Sequence, residues 1–155
     1  MNRFSLRVYG ILKDEQQRIL VSDEYIRGML ITKFPGGGLE FGEGTRDCLV
    51  REFMEELNLR VAVGRHIYTT DFFQISAFNN EYQIISIYYE VQALEPIRVP
   101  LREKPFDFDD EQMARYQATG ETETARFIDW HQFGPDAVTL PIDKLVAEML
   151  KSGQV

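Results

Sequence analysis

Residues 37–59 constrain this chain more than any other stretch. A glycine run (Gly36, Gly37, Gly38) leads to Glu43 and then to Arg51-Glu52-Phe53-Met54-Glu55-Glu56-Leu57-Asn58-Leu59. A glycine-rich turn followed by a helix with three crowded glutamates demands a close backbone approach at one end and a surface to pack on at the other. At about 100° per residue, Glu52, Glu55 and Glu56 stand at i, i+3 and i+4 and share one helix face. Leu49, Val50, Phe53, Met54 and Leu57 fall on a second face roughly 140° away, the stripe expected to pack on a sheet. Arg51 precedes Glu55 by four residues and screens part of the acid charge, whereas Glu52 and Glu56 repel by about 0.2–0.5 kcal/mol. A bound cation would reverse that penalty. Carboxylates and backbone carbonyls are the ligands a hard divalent cation takes, and Mg²⁺ held this way bridges to substrate phosphates.

Other readings of the glycines fail. A dinucleotide-binding G-x-G-x-x-G needs a third glycine where Phe41 stands, and a P-loop needs Gly-Lys-Ser/Thr where the chain has Gly44-Thr45-Arg46. Three glutamates alone would read as a solvated helix face. Their spacing from the glycine turn and Glu43 is what carries the stretch further.

That spacing resembles the Nudix box of the Nudix hydrolases. Gly37, Glu43, Arg51, Glu52, Glu55 and Glu56 match in register, Phe53 and Leu59 fill hydrophobic positions, and Phe34-Pro35-Gly36-Gly37 looks like the usual lead-in. One position departs, since Asn58 replaces the final glycine. A residue just past a helix end is often left-handed, and asparagine tolerates that conformation best after glycine.

The resemblance implies an α/β (α+β) fold, the family's α/β/α sandwich with a mixed sheet, spanning residues 1–155 as a single domain. It implies hydrolysis of a nucleoside diphosphate linked to another group, by water attack on phosphorus. Glu52, Glu55 and Glu56 are the implied metal ligands for Mg²⁺ or Mn²⁺, with the Gly37 carbonyl a further one. Arg51 would orient a glutamate, and Glu43, with Gly36 and Gly38, would support the loop. The general base is either Glu52 or a carboxylate from later in the chain, for which Glu121 and Glu123 lie just before the last strand. A non-catalytic nucleotide or sugar-nucleotide sensor of the same fold is the alternative, although such relatives typically lose box glutamates. The residues that mark ADP-ribose hydrolases and dinucleoside polyphosphate hydrolases would fall near 74–77 and are absent. ADP-ribose, nucleotide sugars and nucleoside triphosphates all remain open.

The remaining sequence sets bounds. At 155 residues the chain suits one core. A net charge of -8 argues against a nucleic acid polymer or an anionic membrane as partner, and the small nucleotide-type substrate is what the resemblance implies. One cysteine, Cys48, and two histidines, His66 and His131, make neither a disulfide nor a zinc set. Cys48 falls near the acidic face as a small space-filling residue. No signal-peptide pattern or membrane-length apolar run is seen, so cytoplasmic residence is the default. A homodimer is the ordinary expectation for a small enzyme.

Apolar patterning predicts strands near 3–13, 18–22, 29–34, 61–74, 82–94 and 124–130, with a hairpin turn at 13–16. The strand at 82–94 reads as buried on both faces. Helices are expected at 46–57, with Thr45 as its hydroxyl cap, at 109–117 and at 142–151. Residues 95–123 read as an insert: a lid, a dimer arm or a disordered segment.

Overall fold

A computed structural model describes residues 1–155. The chain forms a mixed α/β fold of two four-stranded mixed sheets with helices packed against them, and its strands and helices group into two compact units. The first comprises Met1–Leu12, Pro35–Arg98 and Val155, and the second Lys13–Phe34 and Val99–Gln154.

The first unit holds β1 (Arg3–Leu12), β4 (Gly36–Gly38), helix α1 (Thr45–Leu57), β5 (Val61–Thr69) and β6 (Tyr82–Ala93). Its sheet runs β4-β1-β6-β5, with β1 and β6 parallel and the outer pairs antiparallel. Helix α1 packs on this sheet through Leu49, Phe53 and Leu57, all buried. Gly10 makes that seat: a Cβ there would stand 2.8 Å from the Phe53 ring and 2.6 Å from Val91. A second pin lies at the helix start, where the Thr45 and Tyr89 hydroxyls meet at 2.7 Å. Thr45 is therefore inside the helix rather than its cap. Gly44 takes the cap position, and the Asp47 carboxylate accepts from its N–H at 3.3 Å. The helix ends as expected, on a left-handed Asn58 with φ 48° and ψ 42°, whose N–H bonds back to the Met54 carbonyl at 3.0 Å.

The second unit holds β2 (Arg18–Ile26), β3 (Met29–Lys33), β7 (Leu101–Arg102), α2 (Asp110–Thr119), β8 (Glu121–Asp129), a short 3-10 turn (Pro135–Ala137) and α3 (Pro141–Ser152). Its sheet runs β3-β2-β8-β7, antiparallel except for β7 beside β8. The tight turn at 13–16 exists, closed by Asp14 N–H to the Arg18 carbonyl at 2.9 Å, yet β1 and β2 do not pair as a hairpin; each joins a different sheet. Strand β2 also outruns its expected end at Ser22, because Arg27 and Gly28, with φ 48° and 80°, make the two-residue turn that twists two strands together.

Strand β6 departs from the two-face burial expected of it: Tyr88, Tyr89 and Val91 are buried while Glu90 and Gln92 face solvent. Much of the 95–123 stretch is built into the second unit. Arg102 joins the sheet edge and donates to Asp109 at 2.8 Å, Asp109 caps α2 on Gln112, and the Tyr116 ring stacks on Tyr25 at 3.8 Å. The centre of this unit is Asp23, fully buried, which accepts from Thr32 Oγ1 (2.7 Å), Arg126 Nε (2.6 Å) and the Phe106 N–H (3.1 Å).

Candidate metal and phosphate site

The acids of α1 do not form a separate solvated face. Around the helix, Glu52 and Glu56 fall between Cys48 and Leu49, on the inward arc, whereas Val50 and Met54, expected in the apolar stripe, are 44% and 40% exposed. The Glu52 side chain is 12% exposed and Glu55, on the outer side, 59%. Apolar spacing separates the two faces only if every apolar residue points inward, and Val50 and Met54 do not. Two half-buried acids on a packed arc have no bulk water to solvate them fully, so they need partners.

Glycine provides the room. The Glu52 carboxyl rests against the Cα of Gly37, and a Cβ at Gly37 would lie 2.6 Å from its Oε1. Arg51 provides the charge. Its Nε and Nη2 grip Glu43 at 3.0 and 2.7 Å, Nη1 reaches Glu52 at 3.0 Å and Glu55 at 3.2 Å, and Nη2 also donates to the Gly38 carbonyl at 3.1 Å. Glu40 adds a longer ion pair at 3.6 Å. The two Arg51 hydrogen bonds hold the Glu43 carboxyl at about 2, and Glu43 in turn raises the Arg51 guanidinium above its ordinary value. Burial pushes the Cys48 thiol up to about 12, so it stays protonated and packs, its sulfur 3.6 Å from the Gly38 carbonyl.

Strand β4 is the sheet edge. The Gly10 N–H bonds to the Pro35 carbonyl and the Leu39 N–H to the Leu6 carbonyl, both at 2.9 Å, while Val8 lies opposite Gly37. Antiparallel alternation therefore turns the Gly37 carbonyl toward β1 and those of Gly36 and Gly38 away from it.

Glu123 lies in the second unit, inside β8 rather than on a turn before it; Ser22 Oγ donates to it at 3.2 Å. It stands directly opposite Glu24 on β2, a like-charge pairing that a sheet ordinarily disfavours. Glu121 opens the same strand.

No three acidic, histidine or cysteine side chains converge closely enough here to hold a metal ion. The donor chemistry nonetheless fits a hard cation: oxygen only, two of the acids half-buried, and a carboxylate in a cradle that a Cβ would fill. Glu40, which pairs with Arg51, carries no signal in the sequence spacing.

The sequence model of the NUDIX domain matches residues 3–149, across both units. The chain belongs to the Nudix hydrolase family, whose activity in general is hydrolysis of a diphosphate-linked moiety. Among solved structures, a NUDIX hydrolase from Nitrosomonas europaea is 16% identical, with 96% of this chain and 89% of that one covered and a TM-score of 0.67. A MutT NUDIX hydrolase from Burkholderia pseudomallei is 15% identical, with 94% and 96% covered and a TM-score of 0.63. A UDP-X diphosphatase is also 15% identical, with 97% of this chain but 64% of that one covered and a TM-score of 0.61. Identities this low establish a shared fold. A comparison with curated proteins gives no match. No helix is long and apolar enough to cross a membrane.

Proposed function

We propose that this chain is a Mg²⁺-dependent pyrophosphohydrolase that cleaves a nucleoside diphosphate linked to another group. The observation that carries the reading is the Glu52 carboxylate seated on Gly37, with Glu55 and Glu56 on the next turn and Arg51 locked by Glu43. Glu52, Glu55 and Glu56 would hold the cation. The loop carbonyl that joins them is better assigned to Gly36 than to Gly37, because the ladder turns Gly36 outward. When bound, Mg²⁺ or Mn²⁺ neutralises phosphoryl oxygens and lowers the pKa of a water.

Arg51 fixes the rotamers of Glu52 and Glu55 and offsets their charge, while Glu43 keeps Arg51 from following them. Glu52 takes the proton from the attacking water; Glu123, the later carboxylate that the sequence offers for the same role, is carried by the second unit. The substrate is a small nucleotide-type molecule of the triphosphate, nucleotide-sugar or ADP-ribose class, and a like-folded UDP-X diphosphatase is compatible with the second of these.

The test is a panel of diphosphate-bridged compounds with Mg²⁺, scored for release of a nucleoside monophosphate. Glu56→Gln should lower kcat/KM by about 10²-fold or more, the scale of a lost charge-stabilising group; full activity in that variant refutes the reading. A second reading, a sensor that binds without turnover, draws on the Arg51 pairing with Glu52 and Glu55, which engages two of the three acids and screens part of their charge. Tight binding without turnover for every metal and substrate would favour it.

A further inference from the structure

We infer that Phe41 is a substrate-binding residue that takes the flat ring, base or sugar, joined to the diphosphate, a role that rests on the hydrolase reading above. Phe41 is 109% exposed, beyond Phe4 at 66% and Phe73 at 68%, so its ring rests on no other side chain and forgoes everything that burial would bring. Its backbone is nonetheless fixed. The Glu43 N–H donates to the Glu40 carbonyl at 3.3 Å, the Glu40 N–H donates to the Glu43 carboxylate at 3.0 Å, and Gly42 takes φ 99°. These bonds close a tight turn with Phe41 and Gly42 at its tip.

The feet of the turn join it to the acids. Arg51 Nη1 lies 3.6 Å from Glu40, 3.0 Å from Glu52 and 3.2 Å from Glu55, and Nη2 lies 2.7 Å from Glu43. One guanidinium therefore holds both ends of the turn together with two of the three proposed cation ligands, all within the first unit. A diphosphate on that cation brings its attached group beside these acids, and Phe41 is one residue from Glu40. The turn offers such a group a single apolar surface, bordered by Glu40, Gly42 and Glu43. That is too small to found a protein interface, which takes about 1,000 Å² or more. It matches one ring of a small ligand, stacked face to face or seated by its C–H side. Because the backbone is already ordered, less freedom is lost when the ring is engaged.

The experiment compares wild type, Phe41→Ala and Phe41→Trp. Calorimetry with Mg²⁺ measures binding of ligands that cannot be cleaved at the bridge: methylenediphosphonate, α,β-methylene-ADP and the α,β-methylene analogue of ADP-ribose. Urea melts and steady-state kinetics with the wild type's best substrate accompany it. Phe41→Ala should leave the urea midpoint and the methylenediphosphonate affinity unchanged, because the ring supports nothing in the fold. It should weaken one or both nucleotide analogues, and raise KM, by about 5- to 100-fold, the range for removing an aromatic ring from a stacked base. A loss on both analogues assigns the ring to the nucleoside end, and a loss on the ADP-ribose analogue alone assigns it to the second sugar. Phe41→Trp should keep the wild-type affinities. The assignment is overturned by nucleotide analogues that bind Phe41→Ala as tightly as wild type, by an equal loss on every ligand, or by a wild type that binds the analogues no better than methylenediphosphonate. A wild type that turns over no diphosphate compound overturns the hydrolase reading instead, and the calorimetry still decides on Phe41.

Discussion

Two neighbouring glycines in β4 do different work, and substitution separates them. At Gly37 an added methyl meets only the tip of the Glu52 side chain, and its φ is ordinary. Gly37→Ala should therefore leave the unfolding free energy within about 0.5 kcal/mol of wild type while displacing Glu52 and cutting kcat by about 10²-fold. At Gly36, with φ 146°, the methyl would run into the Val8 carbonyl, so Gly36→Ala should cost about 1–3 kcal/mol in a urea melt. Glu43 gives a pH signature. Its carboxyl is held at about 2, below its ordinary 4.5, by hydrogen bonds from Arg51, so its contribution is present above 4.5 and lost as pH falls toward 2. Acid melts should show Glu43→Gln losing less stability than wild type across that window; equal slopes would remove the clamp from the account.

At the scale of elements, α1 is positioned by two pins, Phe53 over Gly10 and Thr45 on Tyr89. Gly10→Ala forces the Phe53 ring and Val91 apart, an overpacking that should cost about 1–3 kcal/mol by urea unfolding and lower kcat as the helix shifts. Retention of both full stability and full activity would show that α1 has slack. Much of this element was legible in the sequence: the box spacing gave its limits, and the preference of asparagine for left-handed backbone gave its end. The inward placement of Glu52 and Glu56 was not, because hydrophobicity alone assigns acids outward. Nor was the true length of β2, since an Arg-Gly pair is a weaker hairpin signal than Asn-Gly. The partition of strands into two sheets was hidden because β1 pairs with β6 across some eighty residues, a choice no local pattern encodes.

For the molecule as a whole, the chain visits the second unit, returns to the first and leaves again, crossing after Leu12, Phe34 and Arg98. Within the second unit Asp23 ties β2 to Thr32, Phe106 and Arg126. Asp23→Ala would leave Arg126 buried without its carboxylate and should cost about 3–5 kcal/mol in denaturant melts. A change under about 1 kcal/mol would show that water or another acid replaces it.

The same chain path governs how the protein is made. Strand β3 ends at Lys33, yet β8, which completes the sheet beside β2, begins only at Glu121. Throughout that interval a growing polypeptide carries Ile19, Leu20 and Val21 on an open edge, while the sheet on which α1 packs already has all its strands by Ala93. The hazard of this architecture thus falls during synthesis, when a neighbouring nascent chain can pair with the strand that β8 has not yet reached.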